Sequence, residues 1–457
     1  MMLRVAWRSL VTRPVRAAVL AAGFGFGVAV MAELLGVGHV ILEQAHAPVL
    51  NGGGDLVVYG PFGLVPSARF VMSSVLGAPD VAHRIAAISP SRQSRLFLMT
   101  ARGPIGVSAN GGIPSLEKSI GDPEVSKIAS WADAPGDERW SRPDPGDVVR
   151  AMDRFHSIPD VSARASSWAE WLYFNGRTRD GRVRVYVTFL VGQRSEAPGM
   201  RRAGVRLQLE RDGHSTSYSA QGDVDEARLL ANAPDVDIGE NHVRLEGLTY
   251  RMTLALGGLR GEMTLDSAPR RSLPPAEIHG AGGWVSGYVV PALSGTMRGT
   301  LAIPGAPLTF DDAIGYHDHN WGFWEGVRWQ WGQVAHDDLS IVYGRVFPPA
   351  DVADPARVPG FLAVLGPEGP QGFSTNVTID DARPGQIEVR AATNTFELNL
   401  MLAADETVRT AMGMTSLAGG QPMNFLQLGG VYHVTGKVAG RPIDFTARGS
   451  AETFKPR

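Results

Sequence analysis

The chain has 457 residues, a formal charge of −3, 44% hydrophobic and 19% charged residues. That supports a sizeable folded core and disfavours a nucleic-acid binder, which needs a basic face. No cysteine is present, so disulfides, zinc–thiolate sites, iron–sulfur clusters and cysteine nucleophiles are excluded.

At the N-terminus Arg4, Arg8, Arg13 and Arg16 (basic segment 1–16) precede an uncharged run from Ala17 to Ala32, and the apolar character resumes after Glu33 as far as Leu42. The next Lys or Arg is Arg69. By the positive-inside rule, residues 17–42 read as one transmembrane helix, with the bulk of the chain outside the cytoplasmic membrane. The uncharged run is about 24 Å long as a helix, with Glu33 near the outer interface. Gly23 and Gly27 form a small-xxx-small pair that could dock another helix. A cleaved signal peptide is the competing reading: Ala45-His46-Ala47 resembles a cleavage site, although Pro48 follows it.

Residues 43–160 read as a small extracytoplasmic α+β region. "DLVVYG", "RLFLMT" and "IGVSA" suggest strands, while "PSLEKSI" and "PGDVVRAMDRF" suggest helices, the second opened by Asp144-Pro145-Gly146. Gly52-Gly53-Gly54 lacks the lysine and helix of a phosphate loop. From about residue 165 the period becomes two. Val183, Val185, Val187 and Phe189 alternate with their neighbours, and so do Tyr250, Met252, Leu254 and Leu256, and later Phe396, Leu398, Leu400 and Leu402. This is half-buried antiparallel sheet with frequent turns, the mark of barrels or sandwiches. Ser272-Leu273-Pro274-Pro275 reads as a break between β-domains at 165–272 and 276–457.

Two stretches carry a resemblance. "EWLYFNGRTRDGRVRVYVTFLVG" begins at Glu170, and "GYHDHNWGFWEGVRWQWGQV" runs from Gly315 to Val334. With Tyr316-His317-Asp318-His319-Asn320-Trp321-Gly322 followed by Trp329-Gln330-Trp331, residues 165–457 resemble the hydroxyneurosporene synthase (carotenoid hydratase) family of lipocalin-like proteins. The resemblance implies a mainly β fold of two lipocalin-like antiparallel barrels, with a site between or inside them. The full His-Asp-His run and the N-terminal apolar segment depart from the photosynthetic hydratases. Separately, "LRVAWRSLVTRPVRAAVLAAGFGFGVAVM" with "GGGDLVVYG" resembles the start of permeases of the macrolide-exporter and lipoprotein-release type, which implies ABC transporter subunits as partners. No later apolar run supplies the remaining helices of a permease.

Asp318 is the candidate acid. Protonating an alkene needs a carboxyl still protonated near neutral pH, and burial among aromatics favours that form. Tyr316, Trp321, Trp324, Trp329, Trp331 and Tyr173 could wall a carbocation, Asn320 could contact substrate, and His317 or His319 could take the proton from water. On a regular strand Tyr316, Asp318 and Asn320 share one face and His317, His319 and Trp321 the other. The expected arrangement turns the Asp318 face to the cavity and bonds the histidines to neighbouring strands. The bland readings are an Asp-Asn turn at a barrel mouth and tryptophans that are simply core. His317-x-His319 would need a third ligand from His279, His336 or His433 to hold a metal, so no metal and no cofactor is expected. Gly-x-Ser-x-Gly is missing. Three function classes follow: an apolar-ligand carrier beside a transporter, an acid-initiated hydratase or cyclase, and a cavity that only folds a polyene. In each, the partner is an apolar small molecule or lipid at a membrane, with no nucleic acid.

Overall fold

The computed structural model describes scattered positions between 12 and 37, residues 54–58 and, apart from isolated positions, residues 67–412 and 423–456. The chain divides into two compact units, one of residues 1–64 and 85–141, the other of 65–84 and 142–457. The expected transmembrane helix at 17–42 lies mostly outside the described residues. Among the described residues no helix is long and apolar enough to cross a membrane.

In the first unit, β1 (Ser91–Thr100) and β2 (Gly103–Gly112) form an antiparallel hairpin. A short helix, Pro114–Ser119, follows where "PSLEKSI" predicts one. The expected strand at "DLVVYG" does not form over residues 55–58.

The second unit is two antiparallel sheets, each curled into a nearly closed barrel. The first contains β3 (Trp168–Arg177), β4 (Val183–Arg194), β5 (Met200–Arg211), β6 (His214–Asp225), β7 (Val236–Ile238), β8 (Asn241–Glu246), β9 (Thr249–Leu256), β10 (Leu259–Asp266), β11 (Leu273–His279), β12 (Val285–Ala302) and β13 (Leu308–Phe323). The second contains β14 (Arg328–His336), β15 (Leu339–Phe347), β16 (Phe361–Gly366), β17 (Gly369–Ser374), β18 (Val377–Asp380), β19 (Gln386–Ala392), β20 (Phe396–Met412), β21 (Met423–Val438) and β22 (Arg441–Pro456). The boundary expected at 272–276 therefore falls inside the first sheet. Pro274 and Pro275 lie on β11, which pairs only with β12. An edge strand tolerates the missing N–H groups, so the pair marks an edge and not a break between barrels. Likewise the helix Pro145–Met152, capped by Asp144 through Gly146 N–H and Asp147 N–H, belongs to the second unit and not to the small N-terminal region.

Alternation builds each core. Tyr250, Met252, Leu254 and Leu256 of β9 point inward with Leu172, Phe174, Val187 and Phe189. Leu398, Leu400 and Leu402 fill the second barrel with Val364, Val389 and Val434. The second half of β13 breaks the rule. From Tyr316 to His319 every residue is buried, because a packed layer covers each face. One layer is the first barrel's interior. The other contains Tyr173, Tyr186 and Tyr316 from the first sheet with Trp331, Val342 and Leu365 from the second.

Candidate functional site

β13 pairs with β3 in a register that sets His317 opposite Phe174, Asp318 opposite Tyr173 and Asn320 opposite Trp171. The motif residues are thereby sorted onto two faces. The structure brings Tyr316, Asp318, Asn320, Tyr173, Trp329 and Trp331 into the inter-sheet layer, while His317, His319 and Trp321 face the other way.

On the inter-sheet face, Asp318 is 4% exposed. Tyr316 Oη donates to its Oδ2 at 2.8 Å and Asn320 Nδ2 to its Oδ1 at 2.8 Å. Tyr316 Oη lies 2.7 Å from Tyr288 Oη, which accepts from Trp331 Nε1 at 3.1 Å. With the one Tyr316 proton given to Asp318, Tyr316 Oη accepts from Tyr288, whose oxygen accepts from an indole that only donates, so the chain runs from Trp331 to Tyr288, Tyr316 and Asp318. Burial pushes the Asp318 carboxyl well above the usual carboxylate range. The bond from Tyr316 opposes that rise and the charge of Glu452 adds to it. Glu452, on β22, accepts from Trp329 Nε1 at 2.8 Å and is itself pushed up to about 7 by burial. Tyr173 and Tyr288 feel both carboxylates. Two acids with raised pKa values thus share one aromatic layer. Asn320, Trp171, Tyr288, Trp329 and Glu452 are only half-buried.

The opposite face of β13 holds a polar network inside the first barrel. Asp153, at the end of the helix Pro145–Met152, is fully buried. It meets His319 Nδ1 at 2.7 Å, His317 Nε2 at 3.0 Å and the Tyr250 hydroxyl at 2.6 Å. His319 Nε2 lies 3.1 Å from Glu170 Oε1, which His156 Nδ1 approaches at 2.7 Å. Both ring nitrogens of His319 therefore face carboxylate oxygens. Burial alone would lower its pKa, but the bonds to Asp153 and Glu170 raise it to about 9. His317 Nδ1 donates to the Tyr173 carbonyl at 3.0 Å, and its ring stacks on Phe174 at 4.0 Å.

These positions correct three expectations. His317 and His319 cannot take a proton from water attacking beside Asp318, because strand alternation puts them behind the backbone. Trp321 is in the same position: it stacks on His156 at 4.2 Å and its Nε1 reaches Glu277. Trp324 bonds the Ala169 carbonyl, sits 4.5 Å from Trp171 and packs on the cluster of Trp168, Trp284 and Trp321, not against Asp318. The close fit at Trp321 supplies a stability prediction. A Cβ on Gly287 would stand 1.9 Å from Trp321 Cε2, so Gly287→Ala is expected to cost about 1–3 kcal/mol by overpacking, read as a lower urea midpoint.

His156, Glu170 and His319 have ligand atoms within 4.8 Å of one another, a set that differs from the third ligands expected for His317-x-His319. Arg201 Nη2 stands 3.8 Å from Glu170 Oε2. A divalent ion would meet that guanidinium, whereas the set closes on hydrogen bonds alone.

Sequence reasoning missed Asp153, Glu170, Tyr288 and Glu452. Glu170 carries a legible signal: on β3 it alternates with Trp168, Leu172 and Phe174, so the period of two points a carboxylate into the core. Asp153 and Glu452 carry none, since each acquires its partners only through contacts remote in sequence.

Fold and site together define a double antiparallel β-barrel protein with two carboxyls of raised pKa, Asp318 buried and Glu452 half-buried, in the layer between its sheets. No protein-family profile matches the chain, and no curated protein does. Among solved structures it is similar to a putative AttH from Nitrosomonas europaea, with 16% identity over 62% of this chain and 92% of that one and a TM-score of 0.40. CghA shares 15% identity over 63% of this chain and 87% of that chain, with a TM-score of 0.45. Kievitone hydratase from Nectria haematococca shares 14% over 66% and 95%, with a TM-score of 0.40. The permease resemblance of the N-terminal segment has no support among these matches.

Proposed function

We propose that the second unit binds an apolar, alkene-bearing molecule in the layer between its sheets and protonates it from Asp318. One observation carries this reading: a carboxyl pushed far above its normal range ends a directed chain of Trp331, Tyr288 and Tyr316, with Glu452 in the same aromatic layer. The Asp318 proton goes to one alkene carbon, and the π pair becomes the new C–H bond. The positive charge left on the other carbon faces the Tyr173 and Trp331 rings, whose π-faces attract cations. Water adds to that carbon and gives up a proton to Glu452, whose value near 7 suits a base at neutral pH. Glu452 releases that proton to solvent and solvent returns one to Asp318, so the balance is alkene plus water to alcohol. If an internal alkene attacks before water does, the same cation closes a ring.

The basic flank and apolar run of residues 4–42 support a membrane-tethered, extracytoplasmic placement, where an apolar ligand is concentrated by partitioning. A carrier without chemistry, set beside a transporter, is the second reading, favoured by the permease-like N-terminal sequence.

Incubating the full chain with a lipid extract of its own cells in heavy-oxygen water and deuterium oxide tests the reaction. The expected product is an alcohol with heavy oxygen and one new carbon-bound deuterium. A bound lipid recovered unlabelled after many hours would favour the carrier.

A further inference from the structure

The inter-sheet layer has a second end. Tyr173 lies opposite Asp318, and Asn175 and Arg177 continue the same face of β3. Four residues of strand place Arg177 about 13 Å along from Tyr173. Arg184 pairs with Arg177 across β3 and β4, and Arg448 reaches the same place from β22. Burial, then the charges of Arg184 and Arg448, pull the Arg177 guanidinium down to about 10.

Among the described residues, two of the three guanidiniums at this end are paired and one is not. Arg184 is 2% exposed and its guanidinium lies against Gly429, where a Cβ would stand 1.3 Å from Nη1. Its Nη1 is 2.8 Å from Glu406 Oε2 and 3.8 Å from Glu210 Oε2. Neither contact meets hydrogen-bond geometry, but despite burial the two carboxylates and a side-chain bond with Tyr186 hold the Arg184 pKa above its ordinary value, so this guanidinium has its counter-charges. Arg448 pairs with Asp405 at 2.7 Å. Burial also raises the Glu210 carboxyl, which weakens it as a counter-charge. Arg177, half-buried, has no carboxylate partner among the described residues. A guanidinium taken partly out of water without a counter-charge is costly unless something supplies one.

We propose that the ligand carries an anionic head, a phosphate or a carboxylate, which Arg177 holds at the far end of the layer while its apolar body runs past Tyr186 and Tyr173 to Asp318. The inference rests on the proposed inter-sheet site and names the class of molecule it takes: an anionic amphiphile. Tyr186 and Tyr173, with ring centroids 6.3 Å apart, and Trp331, 6.2 Å from Tyr173, give the body a continuous aromatic path. A planar guanidinium suits either head by paired N–H bonds.

Titration of the full chain with dodecyl phosphate, dodecanoate and dodecanol, followed by tryptophan fluorescence, tests it. At least one charged probe is expected to bind about tenfold or more tightly than dodecanol, the worth of one charge-assisted bond. The tighter of the two names the head. Arg177→Gln should erase that preference and leave dodecanol binding unchanged, while Arg177→Lys should keep most of it. Equal affinities, or a preference that survives Arg177→Gln, would overturn the head-group inference while dodecanol binding still upholds the apolar site. Failure of all three probes to bind would overturn both.

Discussion

Replacing Asp153 by alanine is expected to destabilise the second unit by about 3–5 kcal/mol, the usual cost of stripping one partner from a buried ionic network. The change removes the acceptor for His317, His319 and the Tyr250 hydroxyl together, in a barrel interior where none of them reaches water. The network also shapes the response to pH. His319 has its folded value raised to about 9. Its contribution is fully present below the unfolded imidazole value of about 6.5 and is lost as pH rises toward 9. Despite burial, the His317 and His319 rings hold Asp153 below the usual carboxylate range, and His156 and His319 lower Glu170. Those two contribute above the unfolded carboxylate values of about 4 and lose their contribution as pH falls below them. Asp318 and Glu452 act in the opposite sense: their folded values are raised, so they cost stability as pH rises above about 4. Urea midpoints of the parent chain should therefore peak near about pH 4 to 5 and decline on both sides, with the longer decline on the alkaline side. In Asp153→Ala the alkaline decline should flatten. A midpoint within error of the parent, or an unchanged alkaline limb, would mean that the network is not held as described.

The strands of the second unit were legible because a half-buried strand writes its burial into alternate residues: Tyr250 to Leu256 and Phe396 to Leu402 point inward as their period predicts. The same logic goes only part of the way where a strand is buried on both faces. Between Tyr316 and His319 alternation still separates the two sides, but it cannot say which side faces a ligand. The sequence places His317, Asp318 and His319 together; the pleat sends the histidines to Asp153 and the aspartate to Tyr316. Contacts such as Asp153 to His319 and Trp329 to Glu452 join residues more than a hundred positions apart, and no local pattern encodes them. Pro274-Pro275 shows the converse limit. A proline pair states that N–H groups are missing, yet an edge strand and a domain break satisfy that equally well.

Asp318→Asn is expected to lower turnover by about a hundredfold or more, the range for loss of a general acid. Asparagine keeps the shape and can still take the Tyr316 bond, so dodecanol binding should hold within about twofold, well under the effect of one lost hydrogen bond. The loss would then fall on the chemical step and not on ligand capture. Glu452→Gln separates the two carboxyls. It removes the base and also a negative charge that helps keep Asp318 protonated. Turnover should fall, and the alkaline limb of its pH profile should move to lower pH, because without Glu452 the Asp318 carboxyl gives up its proton more readily. A Glu452→Gln chain whose alkaline limb stays in place would show that the two acids do not sense each other. Full turnover in Asp318→Asn would remove the acid-initiated mechanism altogether. The layer would then act by holding its ligand, with Tyr316 and Asn320 still positioned to bond a polar group where the carboxyl had been.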